Sequence, residues 1–189
     1  DLLESYLGVY PESLKEIIFD KNDLTYYDSD AVVKPRSEKY ILLDGQPKQL
    51  HSVNHDPDKK TMISSRDSLA HTVRADYGKG PVYKTNVFNK LLCLFANKMA
   101  SLAPFGVGIV MEADKPNWFD ALNGLSALSG SSSCETFELK RLVKFLRHSV
   151  TECRITKVSV TAEVCEFLSE LGKLLSSSPA INDLAYWDA

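Results

Sequence analysis

The sequence predicts a mainly α-helical fold with a less regular N-terminal half. After residue 85, three segments repeat apolar residues at the spacing of amphipathic helices. A serine and a glutamate three positions apart mark the start of one of these helices. Before residue 80, turn-forming residues interrupt the pattern, and an Asp-Gly pair between two short β-favouring runs indicates a hairpin. We therefore expect residues 1–80 to form a mixed, loop-rich segment and residues 81–189 a helical portion.

The first of the three helices should begin near Thr85 and end before Pro104. Its apolar residues recur at i, i+3, i+4, i+7, i+11 and i+14: Phe88, Leu91, Leu92, Phe95, Met99 and Leu102. The other two helices should start at the Ser132-to-Glu135 capping box and near Thr161. The helix that starts at the capping box should end by about His148, and its predicted inward-facing residues are Leu139, Leu142, Val143 and Leu146. Those of the helix that starts near Thr161 are Val164, Phe167, Leu168, Leu171, Leu174 and Leu175. The intervening run ECRITKVSV fits either a short strand or a loop.

The N-terminal half offers weaker signals. Residues 10–19, YPESLKEIIF, predict a short helix with Pro11 in its first turn. The run YILLDGQPKQL predicts a hairpin that turns at Asp44-Gly45. Residues 51–80 are polar and lack a clean period, so they are interpreted as a functional loop region or as a solvated connector.

Charge and hydropathy narrow the classes of partner. The chain has 22 basic and 25 acidic residues and a net charge of -3, so it has no overall basic field and we expect no nucleic-acid partner. No apolar run reaches the roughly 18 residues that a membrane-spanning helix needs. The sequence therefore predicts a soluble, cytoplasmic protein with no membrane partner.

Cysteine and histidine spacing predicts no metal site, and FGVGIV lacks the third glycine and the following helix of a dinucleotide site, so we expect no bound cofactor. The histidines show no H-E-x-x-H or zinc-finger spacing. The cysteines contain no C-x-x-C pair, and we expect them to be reduced and mostly buried: Cys93, Cys134, Cys153 and Cys165.

The stretch MEADKPNWFDALNG, residues 111–124, lies in a connection between two helices, residues 103–132. That connection is far longer than the roughly 2 to 8 residues usual between packed helices, and long connections are often functional. An indole such as Trp118 offers a flat apolar face to a pyranose, and nearby acids and amides can hydrogen-bond sugar hydroxyls. From the residues alone, two interpretations stay open: a sugar-processing acid at Asp120, or a packing aromatic beside a turn-forming acid.

The run MEADKPNWFDALNGLSALSGSSSCETFELKRL, with RADYGKGPVYKTNVFNKLLCLFANKM before it, resembles large bacterial cellobiose-phosphorylase-like proteins. These belong to a wider group of inverting sugar phosphorylases and glycosidases built on an (α/α)6 toroid-type barrel. In that group a tryptophan closely followed by an aspartate supplies the general acid, and the Asp is usually followed by a small residue, Asn and Gly. The resemblance implies that Asp120 is the proton donor and Trp118 a sugar platform. Lys115-Pro116-Asn117 stands where the better-known pattern has Gly-Asp, which leaves phosphorolysis and hydrolysis both open.

The same resemblance implies an oligosaccharide substrate with β-linked glucosides, with inorganic phosphate as the co-substrate of a phosphorylase. Other residues expected to bind the substrate are Glu112, Asp114 and Asn123. The candidate cations for phosphate are Arg66, Arg74 and His55, with Lys59 and Lys60, although a solvated polar loop explains them equally well.

A closed (α/α)6 barrel contains six pairs of helices, whereas this sequence predicts four helices at most. The chain is therefore expected to be a piece that needs the remainder of a parent chain or another subunit. The alternative is a helical interaction or binding module without catalytic activity.

Overall fold

The computed structural model describes residues 2–34, 38, 40–49, 53–102, 108–109 and 132–177. These residues are mainly helical, as predicted. The α-helices are α1 (Leu2–Val9), α2 (Pro57–Ser64), α3 (Val87–Met99), α4 (Ser133–Glu152) and α5 (Ala162–Ser177). The strands are β1 (Ala31–Val33), β2 (Tyr40–Leu43), β3 (Gln46–Gln49) and β4 (Val53–His55). They form two separate antiparallel pairs, β1 with β4 and β2 with β3.

The hydrophobic core joins the two halves of the chain. Its buried members are Leu7, Leu14, Ile18, Phe19, Phe88 and Leu146. Ile18 is completely enclosed, and the rings of Phe19 and Phe88 lie with their centroids 5.0 Å apart. Full burial of one such side chain stabilises the folded state by about 1.5–3 kcal/mol. The helical segment before residue 20 is therefore held against α3 and α4 by this shared core.

The predicted helices of the second half are confirmed. Asn86 caps α3 by accepting a hydrogen bond from the amide of Asn89, 3.0 Å away. Helix α4 continues one turn past the predicted end at His148, because Ser149 is fully buried and Val150 packs against the core. The run ECRITKVSV, which fitted either a short strand or a loop, forms a loop between α4 and α5.

The capping box of α4 forms only in part. The hydroxyl of Ser132 accepts from the amide of Glu135 at 3.3 Å, as the pattern predicts. The carboxylate of Glu135 pairs with Lys98 on α3, and the Ser132 amide donates to the Ile109 carbonyl oxygen instead of to Glu135. The glutamate therefore ties two helices together, in addition to lying in the first turn of its own helix.

The helix predicted at residues 10–19 exists, but only a short part of it has α geometry. A 3₁₀ turn, Pro11–Ser13, leads into a π-helix, Glu16–Asp20. The amide of Lys21 donates to the carbonyl oxygen of Glu16 at 3.1 Å, the i to i+5 bond of a π turn. The wider turn occurs where two consecutive side chains, Ile18 and Phe19, are both buried.

The hairpin prediction is confirmed. Leu43 pairs with Gln46 across a two-residue turn, and both turn residues have positive φ, 52° at Asp44 and 75° at Gly45. This is the geometry that makes Asp-Gly favourable in tight hairpins. The loop interpretation of residues 51–80 was incomplete, because β4 and α2 both lie there. Helix α2 has only one buried residue, Ile63, so it carries almost no apolar periodicity.

No helix in the described part of the chain combines the length and the apolar character needed to cross a bilayer.

Candidate functional site

The five residues predicted to handle the sugar lie outside the described residues: Glu112, Asp114, Trp118, Asp120 and Asn123. Their roles stay predictions. The structure does describe the residues just after α3 and just before α4. The segment that carries the five predicted residues is attached at these positions.

The base of this segment is a small backbone clasp around Ile109. Ile109 forms antiparallel bridges with Leu102, just after α3, and with Ser132, just before α4. The amide of Ser132 donates to the carbonyl oxygen of Ile109 at 2.8 Å, and the amide of Ile109 donates to the hydroxyl of Thr136 at 3.2 Å. Ile109 is only 1% exposed. Ile109 and Ser132, the described residues on either side of positions 110–131, are therefore neighbours, at the C-terminal end of α3 and the N-terminal end of α4.

Replacing Thr136 with valine is expected to loosen this clasp. The Thr136 hydroxyl accepts from the Ile109 amide and donates to the carbonyl oxygen of Ser132 at 2.8 Å. Valine has nearly the same shape but leaves the amide of a buried residue without a partner, which costs about 1–3 kcal/mol. Urea unfolding should show that loss. Thr151→Val is the matched control, since among the described residues the exposed Thr151 hydroxyl makes only the same kind of i−4 bond, to the Arg147 carbonyl oxygen. Equal losses of unfolding free energy in the two variants would contradict a stabilising role for the hydrogen bond between Thr136 and Ile109.

Two of the candidate phosphate cations, Arg66 and Arg74, line one open cavity of about 500 Å³ together with Lys79. His55 does not line this cavity. The guanidinium of Arg66 is 7% exposed and is bound by protein acceptors on both terminal nitrogens. Those acceptors are the Asp28 carboxylate at 2.9 Å and the carbonyl oxygens of Ala70, Thr72 and Gly78 at 2.6, 3.2 and 3.2 Å. Arg66 therefore has a structural role whether or not a ligand binds.

Asp28 is the centre of this charge cluster. It is 6% exposed and also pairs with the ammonium group of Lys59 at 3.0 Å. Burial alone would raise the pKa of Asp28, but the hydrogen bonds and charges of Lys59 and Arg66 outweigh burial and hold that pKa below its ordinary value of 3.8. Two of the cations suggested for phosphate, Lys59 and Arg66, thus neutralise a buried carboxylate.

Arg74 and His55 have fewer protein partners. Nη2 of Arg74 donates to the carbonyl oxygen of Ser68 at 3.0 Å, while its buried Nε has no hydrogen-bond partner in the described part of the chain. His55 is exposed, and its Nδ1 lies 3.0 Å from the Asp30 carboxylate, whose pKa is lowered by that hydrogen bond. Nε of Arg66 is likewise without a partner in the described ranges, but Arg74 gives fewer of its donors to protein acceptors than Arg66 does.

An apolar groove of about 260 Å³ runs between α1, α3 and α4, and sequence reasoning did not find it. Its apolar walls are Leu3, Leu91, Leu94, Leu139, Leu142 and Phe145. Charged pairs stand along its rim, including Lys98 with Glu135 and Arg141 with Glu138 at 3.0 Å. The helical periodicity identified Leu91, Leu139 and Leu142 as inward-facing, but it could not show that the apolar faces of α3 and α4 meet incompletely.

The cysteines only partly match their prediction. All four thiols are free, but Cys134 and Cys165 are exposed while Cys93 and Cys153 are partly buried. The expectation of mostly buried thiols was wrong because Cys134 lies in the first turn of α4 and Cys165 lies off the apolar stripe of α5. Across the described ranges, no three His, Cys, Asp or Glu side chains gather in a way that could hold a metal ion.

Comparison of the chain with family models, with curated proteins and with solved structures finds no match. A function for this chain can therefore be proposed only from its residues and from the geometry described above.

Proposed function

We propose that this chain is the acid-bearing part of a cellobiose-phosphorylase-like enzyme that cleaves β-linked glucosides with inversion. The observation that carries the proposal is the W-F-D…N-G stretch in residues 118–124. The clasp around Ile109 supports it, because a segment attached at one point between two helix ends can be presented on one side of a helical barrel.

In this proposal the carboxylic acid of Asp120 donates its proton to the glycosidic oxygen while the bond from that oxygen to the anomeric carbon breaks. Trp118 holds the apolar face of the sugar ring. A nucleophile attacks the anomeric carbon from the opposite face. Phosphate needs no separate base and leaves as a sugar 1-phosphate, whereas water must lose a proton to a carboxylate elsewhere in the enzyme.

If phosphate is the nucleophile, we assign Arg74 as its strongest candidate ligand among the three cations Arg66, Arg74 and His55. Arg74 lines the 500 Å³ cavity and donates to one described carbonyl oxygen. Arg66 lines the same cavity but already holds Asp28. His55 lies outside that cavity and is paired with Asp30.

The proposed enzyme is completed by the remainder of a parent chain or by another subunit. A closed (α/α)6 barrel has six helix pairs, and the described part of this chain contains five α-helices. The apolar groove between α1, α3 and α4 is a surface that further helices of such a barrel could cover.

The test is product formation by the parent-length enzyme on a panel of β-linked gluco-oligosaccharides, with and without inorganic phosphate. Sugar 1-phosphate that forms only with phosphate would support a phosphorylase. Free glucose that forms independently of phosphate would support the hydrolase alternative. The absence of any product from the whole panel would contradict the proposal.

The apolar groove favours a second candidate, a helical interaction module without chemistry. Such a module should be monodisperse and unfold cooperatively when the 189-residue chain is produced alone. A piece of a barrel should instead self-associate through its uncovered helix faces. Sedimentation velocity distinguishes the two, and a stable monomer together with an inactive parent-length protein would favour the module.

A further inference from the structure

Helix α1 has a second apolar face that the fold leaves exposed. Leu7 is buried in the core and Leu3 packs against that core, so one side of the helix is covered. The other side presents four exposed side chains at i, i+4, i+7 and i+8, which is the spacing of one helix face: Leu2, Tyr6, Val9 and Tyr10. The ring centroids of Tyr6 and Tyr10 lie 4.9 Å apart, so the row is continuous. We call these four residues the α1 ridge.

The α1 ridge lies beside the apolar groove between α1, α3 and α4. Leu3, which follows Leu2 of the ridge, is one wall of that groove. Leu94, on the α3 wall, is itself exposed. A protruding row of apolar side chains and a depression lined by leucines therefore adjoin each other on one surface of the chain.

This surface is large for a monomer. The ridge residues and Leu94 are between 46% and 90% exposed, which leaves roughly 500–600 Å² of apolar and aromatic side chain in water. The largest apolar patch on a typical monomer is about 300–600 Å², and patches beyond that size mark interaction sites. With the partly covered groove walls included, two copies that meet here bury about 1,200 Å², the area at which specific interfaces begin.

The charges around the groove identify the kind of partner. Its rim carries three acids and two bases: Glu4, Glu135, Glu138, Lys98 and Arg141. A partner with a uniformly acidic or basic surface would place like charges against this mixed rim. A second copy presents the same mixture of charges, so a two-fold arrangement allows acids of one copy to face bases of the other.

We propose that a second copy of this chain covers this surface, with the α1 ridge of each copy inserted in the apolar groove of the other. Such a contact is isologous, because each copy supplies one ridge and one groove. A helix with apolar residues at i, i+4 and i+7 is also the shape that a groove between helices accepts. The inference rests on the proposed function only in identifying the other subunit of that enzyme, since the dimer itself needs nothing from Asp120.

The experiment is sedimentation velocity over a concentration series, on the full 189-residue chain and on the parent-length protein. We expect both to show a reversible monomer–dimer equilibrium without larger species, because a two-fold contact closes on itself. The double variant Leu2→Gln/Val9→Gln should raise the dissociation constant of the dimer about tenfold or more. Leu94→Gln, on the groove side of the contact, should raise it as well. Thermal unfolding checks that these exposed substitutions leave the fold intact.

The matched control is Val33→Gln/Leu42→Gln, which removes a valine and a leucine of similar exposure from β1 and β2, outside this surface. It should keep the wild-type dissociation constant. Equal weakening by the ridge and control variants would overturn the proposal, and so would a chain that stays monomeric or forms only larger aggregates. A monomeric parent-length protein would overturn it too, because the remainder of that chain would then cover the surface. Activity on the glucoside panel is measured separately, so an inactive dimer would contradict the proposed function and leave this inference intact.

Discussion

Replacing Asp120 with asparagine is expected to lower kcat of the parent-length enzyme by about 10²–10⁴-fold while the fold stays intact. Asparagine has nearly the same shape as aspartate but cannot donate a carboxyl proton to the leaving oxygen. Steady-state kinetics on the best β-linked substrate measures the loss, and thermal unfolding checks the fold. The wild-type rate should also fall as pH rises through the pKa of the acid, and the variant should lack that limb of the profile.

Asp23→Asn provides the matched control for this experiment, because Asp23 is an exposed acid in the same chain. It should keep wild-type kcat. If Asp120→Asn turned over substrate at the wild-type rate, Asp120 could not be the general acid. If both variants lost activity together, the effect would be one of charge or stability rather than proton donation.

Replacing Asp28 with asparagine should destabilise the fold by about 3–5 kcal/mol, the cost of leaving a buried partner charge uncompensated. Asp28 is 6% exposed and holds Arg66, which is itself buried, together with Lys59. Equilibrium unfolding in urea measures the change. The control is Asp20→Asn, which breaks an exposed pair with Lys15 and should cost about 1 kcal/mol or less. Equal losses would mean that the Asp28 cluster adds nothing beyond a surface pair.

The pH dependence of stability follows from the same cluster. The pKa of Asp28 is lowered in the folded chain, so its contribution is present above the unfolded pKa, near 3.8, and is lost as pH falls through the lower, folded value. Wild-type unfolding free energy should therefore fall on acidification in this range, and Asp28→Asn should reduce that dependence. An unchanged dependence in the variant would contradict the role assigned to Asp28.

The sequence predicted those helices and turns whose formation depends on residues close together along the chain. The apolar spacing along α3, α4 and α5 was visible in the sequence because a helix buries one face of its own. The hairpin turn at Asp44-Gly45 was visible because both residues tolerate the positive φ that a two-residue turn needs. Helix α2 was missed for the opposite reason: only Ile63 is buried, although Asp56-Pro57 is a recognisable start in which Asp56 accepts from two amides.

The contacts that depend on distant residues could not be predicted in this way. The pairing of Ala31 with His55 and the ion pair of Asp28 with Arg66 join positions that share no local pattern. The sequence marked Arg66 as a possible phosphate ligand because cations in polar loops have that use. Only the structure shows that both of its terminal nitrogens are already bound by protein acceptors. The apolar groove is likewise built from three helices that no spacing rule connects.

The most direct test of the central proposal is the anomeric configuration of the first product, followed by proton NMR while the parent-length enzyme acts on a β-linked glucoside. Inverting cleavage places the nucleophile on the opposite face from the leaving oxygen, so the product must appear first as the α-anomer, either as the 1-phosphate or as free sugar. An initial β-anomer would contradict the proposal, because it would require a covalent intermediate and a second carboxylate acting as nucleophile.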